Sequence, residues 1–323
     1  MSLSIQHLNA DSTFLLAFSP ASTTPAEEQG RLPGAFTILL DPWLVGRSSI
    51  FHPSFQYTKH TDKPHIDSLA DIKQGIDLII ITQEKPDHCN RETLCSLPAD
   101  KPVTILATPA AAKKIKSWNH FAPSHIHTLP PFKPSHPSTL TRIPLPPTTP
   151  TLRPGELTIA HLPAKHDLTR VHNALGITYH PPSPAAPTPD KPDPTPTLSL
   201  LYTPHGTPPS TIAPYTTAHL LPTHALPLTA LLHGFNHEQN PACLGGEVMR
   251  GAPGGLELLR ALGGRVRCWI AAHDGEVERG GWSVRWLRSR AFAAREVQGL
   301  VGAEGWGTEV VELGVGECVR LGG

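Results

Sequence analysis

Five apolar stretches of this chain each run into a residue that can hold a metal ion or move a proton. Asp41 follows "FTILL", Asp87 and His88 follow "LIIIT", His166 follows "LTIAHLPAK", His205 follows "LSLLYTP", and His273 follows "RCWIAA". Imidazole and carboxylate are the donor types that suit zinc, manganese or iron, and an ion bound that way acidifies water for attack on an ester, lactone, amide or phosphoester. Ligands at the ends of different strands converge at one edge of a sheet, where open α/β folds place their sites. With 19 histidines in 323 residues, a single loop histidine carries little weight. His273 carries more, because it is the only histidine after Gly245 and directly follows an apolar run.

These residues need strands behind them. "SIQHLNADSTFLLAF", "AFTILLDPWL", "IDLIIITQ" and "VTILATP" are rich in leucine or β-branched residues and bounded by Pro, Asp or Gly, as short strands are. "ATPAAAKKIKSW" predicts a helix with Thr108 as N-cap and Pro109 in its first turn. "GELTIAHLP", "NALGITYH" and "LSLLYTPHG" predict further strands. Then come a helix from Gly254-Gly255, a strand "VRCWIAAHDG", a helix over "SVRWLRSRAFAAREVQGLVG" and a closing strand "TEVVELGVGE". The segment 181–197 has almost nothing apolar to bury and is expected to be an exposed, disordered insertion. The proline-rich run from Arg142 to Pro150 is expected to be a second, better-packed loop. Strand runs first and mixed units later suit an α/β sandwich, and the 79 residues from Gly245 to Gly323 are too few for a core of their own, so one domain over 1–323 is expected.

Lys+Arg and Asp+Glu both number 27, so no basic field exists to draw nucleic acid or an anionic membrane. The first residues lack a basic region before an apolar one, and no apolar run approaches a bilayer span. Five scattered cysteines without a CxxC pair point to reduced thiols. A cytoplasmic protein acting on a small molecule is expected.

In order and spacing, these motifs resemble the metallo-β-lactamase-fold superfamily, nearest to its β-lactamase-like hydrolase branch. Gln83-Glu84-Lys85-Pro86-Asp87-His88 occupies the frame of that family's His-x-His-x-Asp-His motif, and "TILLDPW" looks like its buried strand ending in an acid, here Asp41. "LPAKH" looks like the strand end that supplies a third histidine, His166. "LLYTPHG" puts His205 where a bridging aspartate stands, and "WIAAHDG" matches the last histidine, His273. The resemblance covers residues 5 to 280 and implies an αββα sandwich, here with proline-rich loop insertions.

It also implies two metal sites, and the departures fall on the first of them. Gln83 offers only a weak carbonyl oxygen and Lys85 an ammonium without a lone pair, so the first metal is expected to be absent. Lys85 is expected to replace its charge as an ion pair with Asp87. Asp87, His88, His205 and His273 remain for one zinc, manganese or iron, with Asp87 and His166 as catalytic groups and His166 as a fifth ligand or proton shuttle. Two readings follow: a metal-dependent hydrolase, or a non-catalytic scaffold of the same fold with no metal. Other motifs lead elsewhere. "HGFNHE" lacks the His-Glu-x-x-His order and "GAPGGLELL" is no phosphate loop, although its helix start could hold an anion. No G-x-S-x-G occurs. Cys89 reads better as a small turn residue than as a nucleophile, and Arg285, Arg288, Arg290 and Arg295 as the solvated face of a helix.

Overall fold

The structure, a computed structural model, describes residues 1–20, 34–147, 149–184 and 197–322. The apolar runs form two seven-stranded sheets that stack face to face. The first sheet has the spatial order Cys318–Gly322, Ser2–His7, Phe14–Ser19, Phe36–Leu40, Leu78–Ile81, Thr104–Ala107, Ile126–Thr128. Its first three pairings are antiparallel and its last three parallel. The second sheet runs Thr141–Leu145, Gly155–Leu162, Ala174–His180, Leu198–Thr203, Leu228–His233, Val266–Ile270, Glu309–Val311, and repeats that pattern of three antiparallel and three parallel pairings.

Strand alternation explains how both faces of each sheet are buried. From the first sheet Phe14, Leu16, Ile38, Leu40, Leu78 and Ile80 point inward to meet Leu157, Ile159, Ile177, Leu200, Leu232 and Ile270 of the second. Their neighbours Leu15, Leu39, Ile79 and Ile105 point outward, under the helix Pro109–Ser117 with its Ala111, Ala112 and Ile115. On the other outer face Leu201, Leu231 and Trp269 pack beneath the helices Pro209–Tyr215, Gly251–Ala261 and Ala294–Ala303. The result is the αββα sandwich. Among the described residues no helix is long and apolar enough to cross a membrane.

Several local expectations need correction. Thr108 precedes the helix Pro109–Ser117 without a side-chain capping bond, so Pro109 in the first turn is what marks its start. The helix expected at Gly254 begins at Gly251, where Ala252 N–H is already committed to Phe235 O, and Arg250 lies over Gly254, so this end is no anion cradle. The Arg142–Pro150 run is in part a strand, Thr141–Leu145, which tolerates Pro144 because it is the edge of its sheet. Arg288 and Arg290 lie in a short strand paired with His237–Gln239 rather than on a helix, which starts only at Ala294. Most of the 181–197 insertion lies outside the described residues, but Ser183–Pro184 pairs with Leu152–Arg153. The strand Cys318–Gly322, with few apolar residues, was not anticipated and closes the first sheet against Ser2–His7.

Burial of histidines gives the fold a pH dependence. His161 and His233 are enclosed, and burial pushes each ring down to about 4. Between about 6.5 and about 4 the unfolded chain binds protons that the folded one refuses, so stability is full above that window and is lost as pH falls through it, by up to about 3 kcal/mol for a fully buried ring. The urea midpoint of the parent should therefore drop between pH 7 and pH 4.5. In a His161→Leu variant, which removes one of these buried rings, the drop should be shallower.

Candidate metal centre

The site lies at the strand ends that the two sheets present to one rim. In the first sheet the strand Phe36–Leu40 delivers Asp41, and its neighbour Leu78–Ile81 runs into a turn that carries Asp87 and His88. In the second sheet Leu198–Thr203 delivers His205 through a turn closed at Gly206, and Val266–Ile270 delivers His273. Asp41 and His273 are held at positive φ, 40° and 69°, a backbone region that costs a non-glycine residue about 1–3 kcal/mol and persists only where surroundings impose it. Here they do: Asp41 N–H donates to Ile80 O at 3.0 Å and His273 N–H to Asp11 O at 2.9 Å.

Asp87, His88, His205 and His273 bring one ligand atom each to within 4.8 Å of all the others. His88 Nε2 is 3.0 Å and His273 Nε2 3.2 Å from His205 Nε2. Asp87 Oδ2 is 3.5 Å from His273 Nε2 and 3.9 Å from His88 Nε2. Four donors at about 2.0–2.1 Å from a tetrahedral ion stand about 3.3 Å apart, and these edges bracket that value.

The opposite side of each ring decides where the lone pairs point. His88 Nδ1 lies 2.8 Å from Asp41 Oδ2, His205 Nδ1 lies 3.2 Å from Val248 O, and His273 Nδ1 meets Asp11 Oδ1. All three partners accept only, so each Nδ1 carries the proton, and the neutral ring then offers its Nε2 lone pair to the shared centre. Three lone pairs facing one another repel unless a cation stands between them. Protonation answers this poorly. Burial, and then the neighbouring His273 and His88, push His205 well below its ordinary value. Burial also opposes charge on His273, but the Asp11 and Asp87 carboxylates outweigh it and raise that ring well above its usual range. A proton on His273 leaves His88 and His205 still lone pair to lone pair. Asp87 itself is held well below the usual carboxylate range by His88 and His273 against the effect of burial.

Behind the ligands stands Asp41, fully buried, which accepts from Thr82 N–H at 2.7 Å and from the Thr82 hydroxyl at 2.5 Å, with the Tyr202 hydroxyl at 3.1 Å. On the other side Asp274, pushed up to about 7 by burial, accepts the N–H groups of Phe235 and Asn236 and pins the turn beside His273.

The remaining candidates fall differently. His166 is not brought to the cluster: Asp167 folds its own loop by accepting from Thr169 and His172 N–H, and this leaves His166 exposed at φ 61°. From that loop Val171 faces the pocket instead, and its carbonyl accepts from Gln83 Nε2 at 3.2 Å. Gln83 is thus bonded across to the loop that was expected to supply a ligand. The expected ion pair between Lys85 and Asp87 does not form, because the Asp87 carboxylate is turned to the imidazoles; Lys85 lines the pocket and makes no ion pair among the described residues. Cys89 is buried, with its thiol pushed up to about 12 by that burial, which unfits it as a nucleophile. His233 and His237 are structural: the first is bonded to Thr203 and Gly251 O, the second faces Glu247 at 3.6 Å.

Sequence reading missed Asp11. A signal existed: in an up-and-down run of strands, the loop after Ser2–His7 falls at the same sheet edge as the end of Phe36–Leu40, so "NADST" should have been searched for an acid.

Solved structures share this architecture. An isothiocyanate hydrolase from Delia radicum gut bacteria superposes with a TM-score of 0.54 at 14% identity, over 99% of this chain and 98% of its own. The metallo-β-lactamase-fold protein YhfI from Bacillus subtilis does so with a TM-score of 0.49 at 12% identity, over 99% and 100%. No family model and no curated protein matches the chain. The chain has the αββα fold that it shares with the isothiocyanate hydrolase, and it carries a His/Asp group with the geometry to hold one metal ion.

Asp11 and Asp41 orient ligands without reaching the centre, and removing such partners usually costs 10–100-fold in metal affinity. Asp11→Asn should weaken zinc binding by about that factor in a competition titration with a chromophoric chelator, while Glu276→Gln, away from the cluster, leaves it unchanged.

Proposed function

We propose that the protein is a metal-dependent hydrolase working with one ion, zinc, manganese or iron, on Asp87, His88, His205 and His273. The observation that carries this reading is that each of the three imidazoles turns Nδ1 to an oxygen acceptor, which aims its Nε2, together with one Asp87 carboxylate oxygen, at a single point. An ion held there supplies a Lewis acid and an acidified water for attack on an ester, lactone, amide or phosphoester.

The chain's own groups do the rest. Asp87 Oδ1 is buried without a hydrogen-bond partner among the described residues, so it can accept from the attacking water and aim it. Ser12 fixes that residue by donating to Asp87 O at 2.8 Å. Lys85 stands at the pocket wall with its ammonium uncommitted, in the region of the metal site that the sequence has lost, where it can meet negative charge developing on a substrate oxygen. Trp43 and Met249 form apolar parts of the pocket wall. A cytoplasmic setting and a small-molecule substrate complete the reading, supported by five unpaired cysteines.

A second reading, a non-catalytic binding scaffold, draws on the Gln83–Val171 bond, which seals the first metal position. Elemental analysis of protein purified without a histidine tag or chelator separates the two. About one equivalent of zinc, manganese or iron in the parent and none in a His88→Ala/His273→Ala variant is the result expected of the hydrolase. A metal-free parent at full yield would overturn it in favour of the scaffold.

A further inference from the structure

A second cavity opens directly from the metal pocket, sharing Ile50, Gln56, Lys85, Val171, Glu238 and Val248 as its wall. Away from that junction it is lined by Phe51, Phe55, Leu168, Leu244 and Leu287, and so becomes an apolar cleft. Two of these side chains stand almost wholly in water: Phe51 is 93% exposed and Leu168 98%. They come from two different loops, one after the first sheet's Asp41 and one between the second sheet's strands Gly155–Leu162 and Ala174–His180. Neither is needed by either core, and Phe51 is held at φ 59°, a conformation unfavourable for a bulky residue. Large apolar side chains left exposed around a pocket mouth mark a surface that a ligand covers.

Charge narrows the ligand further. In the metal pocket Arg279 is already neutralised by Glu238 at 2.5 Å, and Asp11 and Asp87 add two carboxylates. Among the described residues that line the two cavities, the one cation without an ion partner is Lys85, at their junction. A carbonyl needs one donor for the oxygen that becomes negative during attack, which Lys85 can be.

Building on the hydrolase reading above, we propose that the substrate is a carboxylic ester with an apolar acyl chain, the chain lying in the cleft under Phe51 and Leu168 and the carbonyl oxygen turned to Lys85. Water adds its oxygen to the acyl carbon, the bond to the alcohol oxygen breaks, and that oxygen takes up a proton. The products are the carboxylate of the chain and a free alcohol, with one proton released.

The test compares p-nitrophenyl acetate with p-nitrophenyl octanoate on the zinc-loaded protein, and separately follows decanoate binding by tryptophan fluorescence, since Trp282 packs edge-on against Phe55 with ring centroids 5.0 Å apart. Burying six further methylenes should raise kcat/KM for octanoate over acetate about tenfold or more, and Phe51→Ser/Leu168→Ser should bring the ratio close to one and weaken decanoate binding. Lys85→Met should lower kcat on the order of 100-fold at both chain lengths while keeping the ratio. Equal turnover of the two esters by the parent, or a ratio insensitive to the double variant, overturns the proposal. Saturable decanoate binding lost in the double variant, without ester hydrolysis, upholds the cleft's ligand and overturns the hydrolase reading alone. Neither hydrolysis nor binding overturns both.

Discussion

Everything at the site hangs on one buried carboxylate. Asp41 has no exposure to solvent, and an isolated charge there would be prohibitive. It is tolerated because Thr82, His88 and Tyr202 together satisfy both of its oxygens. Those partners come from both sheets: Thr82 and His88 follow the strand Leu78–Ile81 of the first, and Tyr202 belongs to the strand Leu198–Thr203 of the second. One network therefore fixes the tautomer of a ligand and fastens the two layers at the rim where all the ligands gather. A half-satisfied version of it would be worse than an apolar seam.

The two sheets repeat one pairing pattern, and each contributes half of the donor set. Asp87 and His88 come from the first sheet, His205 and His273 from the second. Neither half holds an ion alone. The positions that depart from the family pattern the sequence resembles, Gln83 and Lys85, are polar and belong to none of the apolar clusters. Stability in this fold comes from the apolar layers, so chemistry at the rim can be rewritten residue by residue while the sandwich stays as it is.

This separation also explains what could be read from the sequence. Asp41, His205 and His273 were visible because each comes soon after an apolar strand, where period-two burial stops and side chains turn to the rim, and Asp87 and His88 because the turn after Leu78–Ile81 carries the Gln83 to His88 frame. His166 was misplaced because it sits in an eleven-residue loop, 163–173, between Gly155–Leu162 and Ala174–His180. Periodicity says nothing about which loop residue faces inward; Asp167 settles that through hydrogen bonds with its own backbone neighbours. Lys85 was paired with Asp87 on proximity in sequence, whereas the carboxylate turns to the imidazoles of His88, its neighbour, and His273, from far along the chain. Asp11 escaped because its role is defined wholly by a partner 262 positions away. The Arg288–Arg290 strand was hidden for a similar reason, since nothing local announces its pairing with His237–Gln239.

That long separation has a consequence for how the molecule is made. The strand Ser2–His7 is paired on one side by its hairpin partner and on the other only by Cys318–Gly322, and the loop that follows it meets His273. During synthesis its outer edge must wait, hydrogen-bonding groups bare, until the strand Cys318–Gly322 has left the ribosome. Non-local closure of this kind is slow, and bare strand edges recruit other chains. Both the covering of that edge and the contact of Asp11 with His273 therefore wait on segments made long after the strand they complete.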